Sequence, residues 1–338
     1  MRRSAALALV TGGTLAVGAF AWYRLKGTPK AVSGIFPNGI AYARVGSGPK
    51  TMLFILGGPG MGAPQGLRLA LLPFMFYPPY IEAGYTVWIV ARRQNMPKGH
   101  TIADMAEDYA GLIADELGGK VDLVIGEGPT GGWIGFCLAA RHPDRLGHLV
   151  TASCGYTVSE QGKTIDHDFA RLRVEGRWDD ASALQFTSFY PDLRLPGVAR
   201  VLGVAMGRLL FADSNPYRAH DGMVEAEAEM VFDARKILPQ ISVAVLLIGG
   251  DRDIYTPKEV YEETARLIPD CTLRLYEGEG ITAVSDKRLP QDVLDFVRGR
   301  PAVQPERFAE QPTSIDQPAA ATDQLAGPTP SLAGSGAG

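Results

Sequence analysis

Cysteine is scarce: Cys137, Cys154 and Cys271 are the three in 338 residues. Three is an odd and small number, so no disulfide framework is expected. Each lies in apolar sequence and reads as a small buried hydrophobe. CxxC pairs and HExxH are absent, and five scattered histidines give no ligand spacing, so no metal site is expected. An excess of basic residues is also missing. With 33 Lys and Arg against 37 Asp and Glu, the formal net charge is -4. No basic stripe interleaved with aromatics occurs, and nucleic acid is excluded as a partner. The glycine-rich turns lack the GxGxxG and GxxxxGK[ST] spacings, so no cofactor is implied.

The two ends differ from the middle. Between Arg3 and Arg24 the chain is uncharged from Ser4 to Tyr23, about twenty residues, enough to cross about 30 Å of hydrocarbon as a helix. Trp22 and Tyr23 stand where an interfacial aromatic belt would be. Residues 1–27 therefore read as a membrane anchor that leaves the protein membrane-associated by one N-terminal helix. The alternative is a signal sequence cleaved near the small residues of GAFA, leaving a secreted protein. The flanking charges nearly balance and do not set the orientation. Residues 301–338 are rich in Pro, Ala, Gln, Ser and Gly and read as a disordered tail without a lipid-anchor signal.

In the middle, apolar β-rich runs alternate with helical patterns. KTMLFILGG, GYTVWIVARR, VDLVIG, HLVTAS, VAVLLIGG and CTLRLYEG are the strand candidates. Continuous apolar runs mark strands buried on both faces, as in a parallel sheet covered by helices. The alternation predicts βαβ units, with ligands beyond the carboxyl ends of the strands. From Tyr156 to Gln240 the rhythm breaks into helical segments, such as VARVLGVAMGRLLFA and DGMVEAEAEMVFDARKIL. This interval reads as a helical cap at residues 156–240, dividing a core of 28–155 and 241–300. Caps of this kind shape pockets.

Four motifs give this pattern a family resemblance. LGGPGMG resembles the glycine turn after the third strand of the α/β-hydrolase superfamily, in its esterase and peptidase branches. VDLVIGEGPTGGWIGFCLAARHPDRLGHLV is similar to that family's strand, nucleophile elbow and helix, whose pattern is G-x-S-x-G. LLIGGDRDIYTP resembles its acid turn, and YEGEGITAVSDKRLPQDVLDFVRG its final turn and helix. The resemblance covers roughly Ser33 to Arg300. It implies an α/β-hydrolase fold: a mostly parallel sheet flanked by helices, with a helical cap after the sixth strand.

The resemblance also implies site residues, and here the chain departs from the pattern. Gly57 and Gly58 match the oxyanion turn, and Asp253 matches the triad acid. The base position holds Ile281. GEGPTGG has no serine: aligned on its paired glycines it puts Pro129 at the nucleophile position, and aligned on Gly126 it puts Gly128 there. In the second alignment Pro129 follows and has no N–H to give an oxyanion. Thr130 is a weak substitute nucleophile, with helix capping as its ordinary role. Ser153 and Cys154 end the sixth strand at the pocket rim, and His100 lies on the same sheet edge. Two functions stay open. One is a membrane-tethered protein of this fold, impaired in serine-hydrolase catalysis, that binds a small apolar ligand or a partner. The other is an active hydrolase of small esters or related acyl substrates, with a rearranged site built on Thr130 or Ser153.

Overall fold

The computed structural model describes residues 31–75, 77–191, 196–210 and 215–299. The expected anchor at 1–27 and the tail at 301–338 lie outside the described residues. Among the described residues no helix is long and apolar enough to cross a membrane.

Eight strands form one sheet in the order β1-β2-β4-β3-β5-β6-β7-β8. They are β1 Val32–Ile35, β2 Ile40–Val45, β3 Lys50–Ile55, β4 Tyr85–Arg93, β5 Val121–Glu127, β6 Leu146–Ala152, β7 Val245–Gly250 and β8 Cys271–Tyr276. The first two pair antiparallel, and β2 joins β4 antiparallel. Every later pairing, from β4–β3 through β7–β8, is parallel. The six strand runs legible in the sequence are β3 to β8. The short β1–β2 ribbon is additional: three of the four β1 residues are exposed, and it carries too weak an apolar run to stand out.

Alternation along the central strands sends side chains to two cores. Leu53 and Ile55 face one, with Tyr109, Ile134 and Phe136. Met52 and Phe54 face the other, with Tyr77, Tyr80, Leu289 and Val293. The first core is covered by α3 (Ile102–Glu116), α4 (Gly128–Arg141) and their neighbours, and the second by α1 (Gly66–Leu71), α2 (Pro78–Glu82) and the C-terminal helix Leu289–Val297. Helix α3 starts at a capping box in which the Thr101 hydroxyl accepts from the Asp104 amide and the Asp104 carboxylate accepts from the Thr101 amide. Burying both faces makes the strands read as unbroken apolar runs.

Between β6 and β7 come four helices, α5 Glu160–Val174, α6 Trp178–Phe189, α7 Pro196–Leu210 and α8 Arg218–Val231. They are the helical insertion expected after the sixth strand. Parallel register brings Ile55 beside Gly126 and Glu127 beside Ala152, so the loops after β3, β5 and β6 open at one edge of the sheet. That edge is where a doubly wound sheet places its ligands.

Candidate active-site pocket

β5 ends at Glu127 and α4 begins at Gly128, with no residue between them. Such an abrupt strand-to-helix turn needs a residue in the left-handed region. Gly128 takes it, at φ 59. Of the two residues that the resemblance offers for the nucleophile position, Gly128 stands at the apex of the turn and Pro129 does not. Pro129 falls in the first turn of α4, where its missing N–H breaks no helical bond. Tight backbone packing explains the flanking glycines. A Cβ on Gly126 would lie 2.4 Å from the Gly131 oxygen, and one on Gly57 would lie 2.2 Å from the Glu127 oxygen. A Cβ on Gly128 would meet Gly57 Cα at 3.5 Å, an ordinary contact.

The glycine turn after β3 faces this elbow. The Gly57 amide donates to Glu127 Oε2 at 3.4 Å. Gly58 has φ 78, and its carbonyl accepts from Arg92 Nη2 at 2.6 Å. Arg92 also donates to the Leu56 carbonyl and pairs with Glu225 Oε2 of α8 at 2.8 Å, with both side chains buried. Arg92 therefore fixes the turn from below and ties it to the inserted helices. Burial pushes the Glu127 carboxyl up, opposed by the Gly57 amide and by Arg92 and Arg68. Neither Arg92 nor Glu127 was singled out in the sequence. Their only signal was position: one at the end of an apolar strand, the other inside the elbow.

Ser153 follows β6 with φ 60, an uncommon conformation for a residue with a side chain. Its amide donates to the Ile248 carbonyl and its hydroxyl to the Ile281 carbonyl, both at 2.8 Å. Ile281, which the resemblance sets at the base position, thus touches Ser153 through its backbone oxygen. Cys154 is fully buried, its thiol lies against the Pro129 and Gly155 carbonyls, and burial pushes its pKa well up. That opposes thiolate formation. Asp253 accepts from the Tyr255 amide at 2.8 Å and from the Tyr261 hydroxyl at 2.9 Å, and burial pushes its pKa up to about 6. Its oxygens are thereby committed to its own turn and the helix Lys258–Leu267.

Thr130 is buried and donates to Glu229 Oε1 of α8. Asp166 of α5 lies close enough to Glu229 for the two carboxyls to act on each other electrostatically. Tyr255 donates to Asp166 Oδ1 at 3.3 Å and accepts from Gln185 Nε2 at 3.4 Å. Burial pushes both Asp166 and Glu229 up, so the pair favours holding a proton between them. His100 is elsewhere: its Nε2 lies 2.9 Å from Asp108 Oδ2, beside α3. His220 Nε2 lies 2.8 Å from the Met96 carbonyl. Among the described residues no group of three or more His, Cys, Asp or Glu is arranged to hold a metal ion.

A cavity of about 410 Å³ opens over the elbow. Its walls are mainly apolar, including Leu56, Leu72, Met75, Phe169 and Phe189, with Gly57, Gly58, Gly128 and Pro129 at its floor. Two polar groups of residues interrupt them. Arg68, Tyr77, Tyr80 and Glu127 come from the core, and Asp166, Gln185 and Tyr255 from the cap and acid turn. Ser153 and Ile281 also line it, while among the described residues no histidine does. Without an imidazole at its wall, a hydroxyl here has no ordinary general base.

The comparisons agree with this architecture. No family model matches the chain. A protein of Caulobacter sp. (strain K31) named as the carbamate hydrolase RutD is 27% identical over 208 residues, covering 60% of this chain and 75% of that one. The proline iminopeptidase PfmaB of Pestalotiopsis fici is 25% identical over 196 residues, covering 54% and 68%. Among solved structures, a thermophilic esterase from Thermogutta terrifontis superposes with a TM-score of 0.58 at 23% identity, covering 77% of this chain and 93% of the esterase. The protein has the α/β-hydrolase fold.

Proposed function

We propose that this protein uses the cavity to bind a small, largely apolar molecule, and that it does not run the serine-hydrolase reaction of its superfamily. The observation that carries this reading is Gly128 at the apex of the elbow, at φ 59. A nucleophile must stand there, and glycine has no side chain. Ile281 at the base position and the amide-less Pro129 support the same reading. The pocket itself is intact, with a volume in the range of small-molecule sites. The test combines a fluorophosphonate probe read by intact mass with an ester-hydrolysis assay on the purified protein. The expected outcome is no adduct and no turnover above background. A stoichiometric adduct would overturn the reading.

A second reading, hydrolysis of small esters or related acyl compounds by a rearranged site, is favoured by one observation. Ser153 is among the residues lining the cavity and holds an uncommon backbone conformation, of the kind that gathers at functional sites. The hydrolase names of the similar proteins support it too. In that case the adduct maps to Ser153 and disappears in Ser153→Ala. We also propose that residues 1–27 tether the protein to a membrane, on the strength of the uncharged stretch Ser4–Tyr23. Carbonate extraction of membranes tests this, with cleaved and soluble protein as the opposing result.

A further inference from the structure

The cap side of the cavity holds more hydrogen-bond acceptors than donors. Asp166 and Gln185, 2% and 6% exposed, both line the cavity. Gln185 Oε1 has no partner, and neither has Glu229 Oε2 directly behind. The donors at hand are already used. The Tyr255 hydroxyl serves Asp166, the Thr130 hydroxyl serves Glu229 Oε1, and the Ser188 hydroxyl donates to the Gln185 backbone carbonyl at 2.8 Å. Buried acceptors without donors are costly, and a ligand that brings donors would relieve them.

Charge points the same way. Asp166 and Glu229 are neighbouring buried carboxyls, and a positive charge at the cavity wall favours their ionised form. Nearby cations are occupied with other groups. Arg92 pairs with Glu225 at 2.8 Å, and Arg173 of α5 donates to the Pro59 and Gly60 carbonyls at 3.2 and 3.1 Å. On the core side the Gly57 amide, which could receive an anion or a carbonyl oxygen, already faces the Glu127 carboxylate. The cavity thus disfavours an anionic head group at the cap side, and at the core side its arginine, Arg68, is already shared between Glu127 and the Gly62 carbonyl.

We propose that the ligand of this cavity is an apolar amine, whose protonated nitrogen sits at the cap-side wall against Asp166 and Gln185 while its hydrocarbon body fills the apolar part. An ammonium supplies several donors and a positive charge, which matches both deficits. This inference rests on the binding reading given above and names the ligand class of that same cavity.

The test uses calorimetric titration of the whole purified protein with three probes of equal length: octylamine, octanol and octanoate. Octylamine is expected to bind at least about tenfold more tightly than octanol, and octanoate more weakly than either. Asp166→Asn is expected to remove that preference, bringing octylamine to the octanol level while octanol binding stays unchanged. Gln185→Leu, which leaves the carboxyl pair in place, should lower octylamine affinity severalfold and serves if Asp166→Asn does not fold. If octanol or octanoate binds as tightly as octylamine, or the variants leave the amine preference intact, the inference fails and the binding reading survives. If none of the three probes binds, the binding reading fails with it.

Discussion

The backbone amide of Gly57 points at the carboxylate of Glu127, 3.4 Å away, across the turn where an α/β-hydrolase receives the oxygen of its substrate. The chain supplies its own acceptor at that spot. Glu127 is partly exposed to the cavity yet lies deep in the protein, and burial raises its pKa. A raised carboxyl pKa means that ionisation favours the unfolded state, so stability falls as pH rises through the unfolded and then the folded pKa. Glu127→Gln keeps an acceptor for the Gly57 amide and removes the ionisation. Urea unfolding should show the variant more stable than the parent at pH 7 and no more stable at pH 4. Equal gains at both pH values would contradict it.

The elbow has room for the missing nucleophile. A Cβ at Gly128 meets no backbone closer than 3.5 Å, so Gly128→Ser bears only the left-handed φ, about 1 kcal/mol. That variant should fold with a melting temperature lowered by a few degrees. On its own it should remain unlabelled by fluorophosphonate, because no base reaches it. With Ile281→His added, labelling at residue 128 is the expected outcome, read by peptide mass.

Thr130 should matter to stability through Glu229. Thr130→Val keeps the shape and deletes the hydroxyl that serves a fully buried carboxyl. Chemical denaturation should show a loss of about 1–3 kcal/mol, the cost of stranding a buried acceptor. The double variant Thr130→Val, Glu229→Gln should recover part of it, since the charge left without its donor is then gone.

Asp253 provides a second pH signature. Its pKa is pushed up to about 6 by burial in the folded protein, against an ordinary value of 3.8. Below that ordinary value both states are protonated. As pH rises toward 6 the unfolded chain ionises first, and stability declines by roughly 2–3 kcal/mol, levelling above the folded pKa. Asp253→Asn should flatten this part of the curve. Unfolding free energies measured from pH 4 to pH 7 for both proteins check it, and parallel curves would refute the assignment.

The sequence alone determined the frame. Six apolar strand runs separated by helical periods specify a parallel sheet, because only strands buried on both faces read that way, and β3 to β8 are those runs. Resemblance to the α/β-hydrolase motifs also pointed to GEGPTGG as an elbow and to Asp253 as the residue of the acid turn. It left two alignments of the elbow open. Only the three-dimensional turn separated them, because a positive φ at the strand-to-helix junction belongs to one residue, Gly128. The polar wall was likewise out of reach of sequence reading. Asp166, Gln185, Glu229 and Arg92 lie on separate elements, up to 137 positions apart, and look like ordinary polar residues of helices and strands. Their pairing depends on how the inserted helices close over the sheet. Long-range contacts of that kind carry no local periodicity, so only the tertiary structure could bring them together.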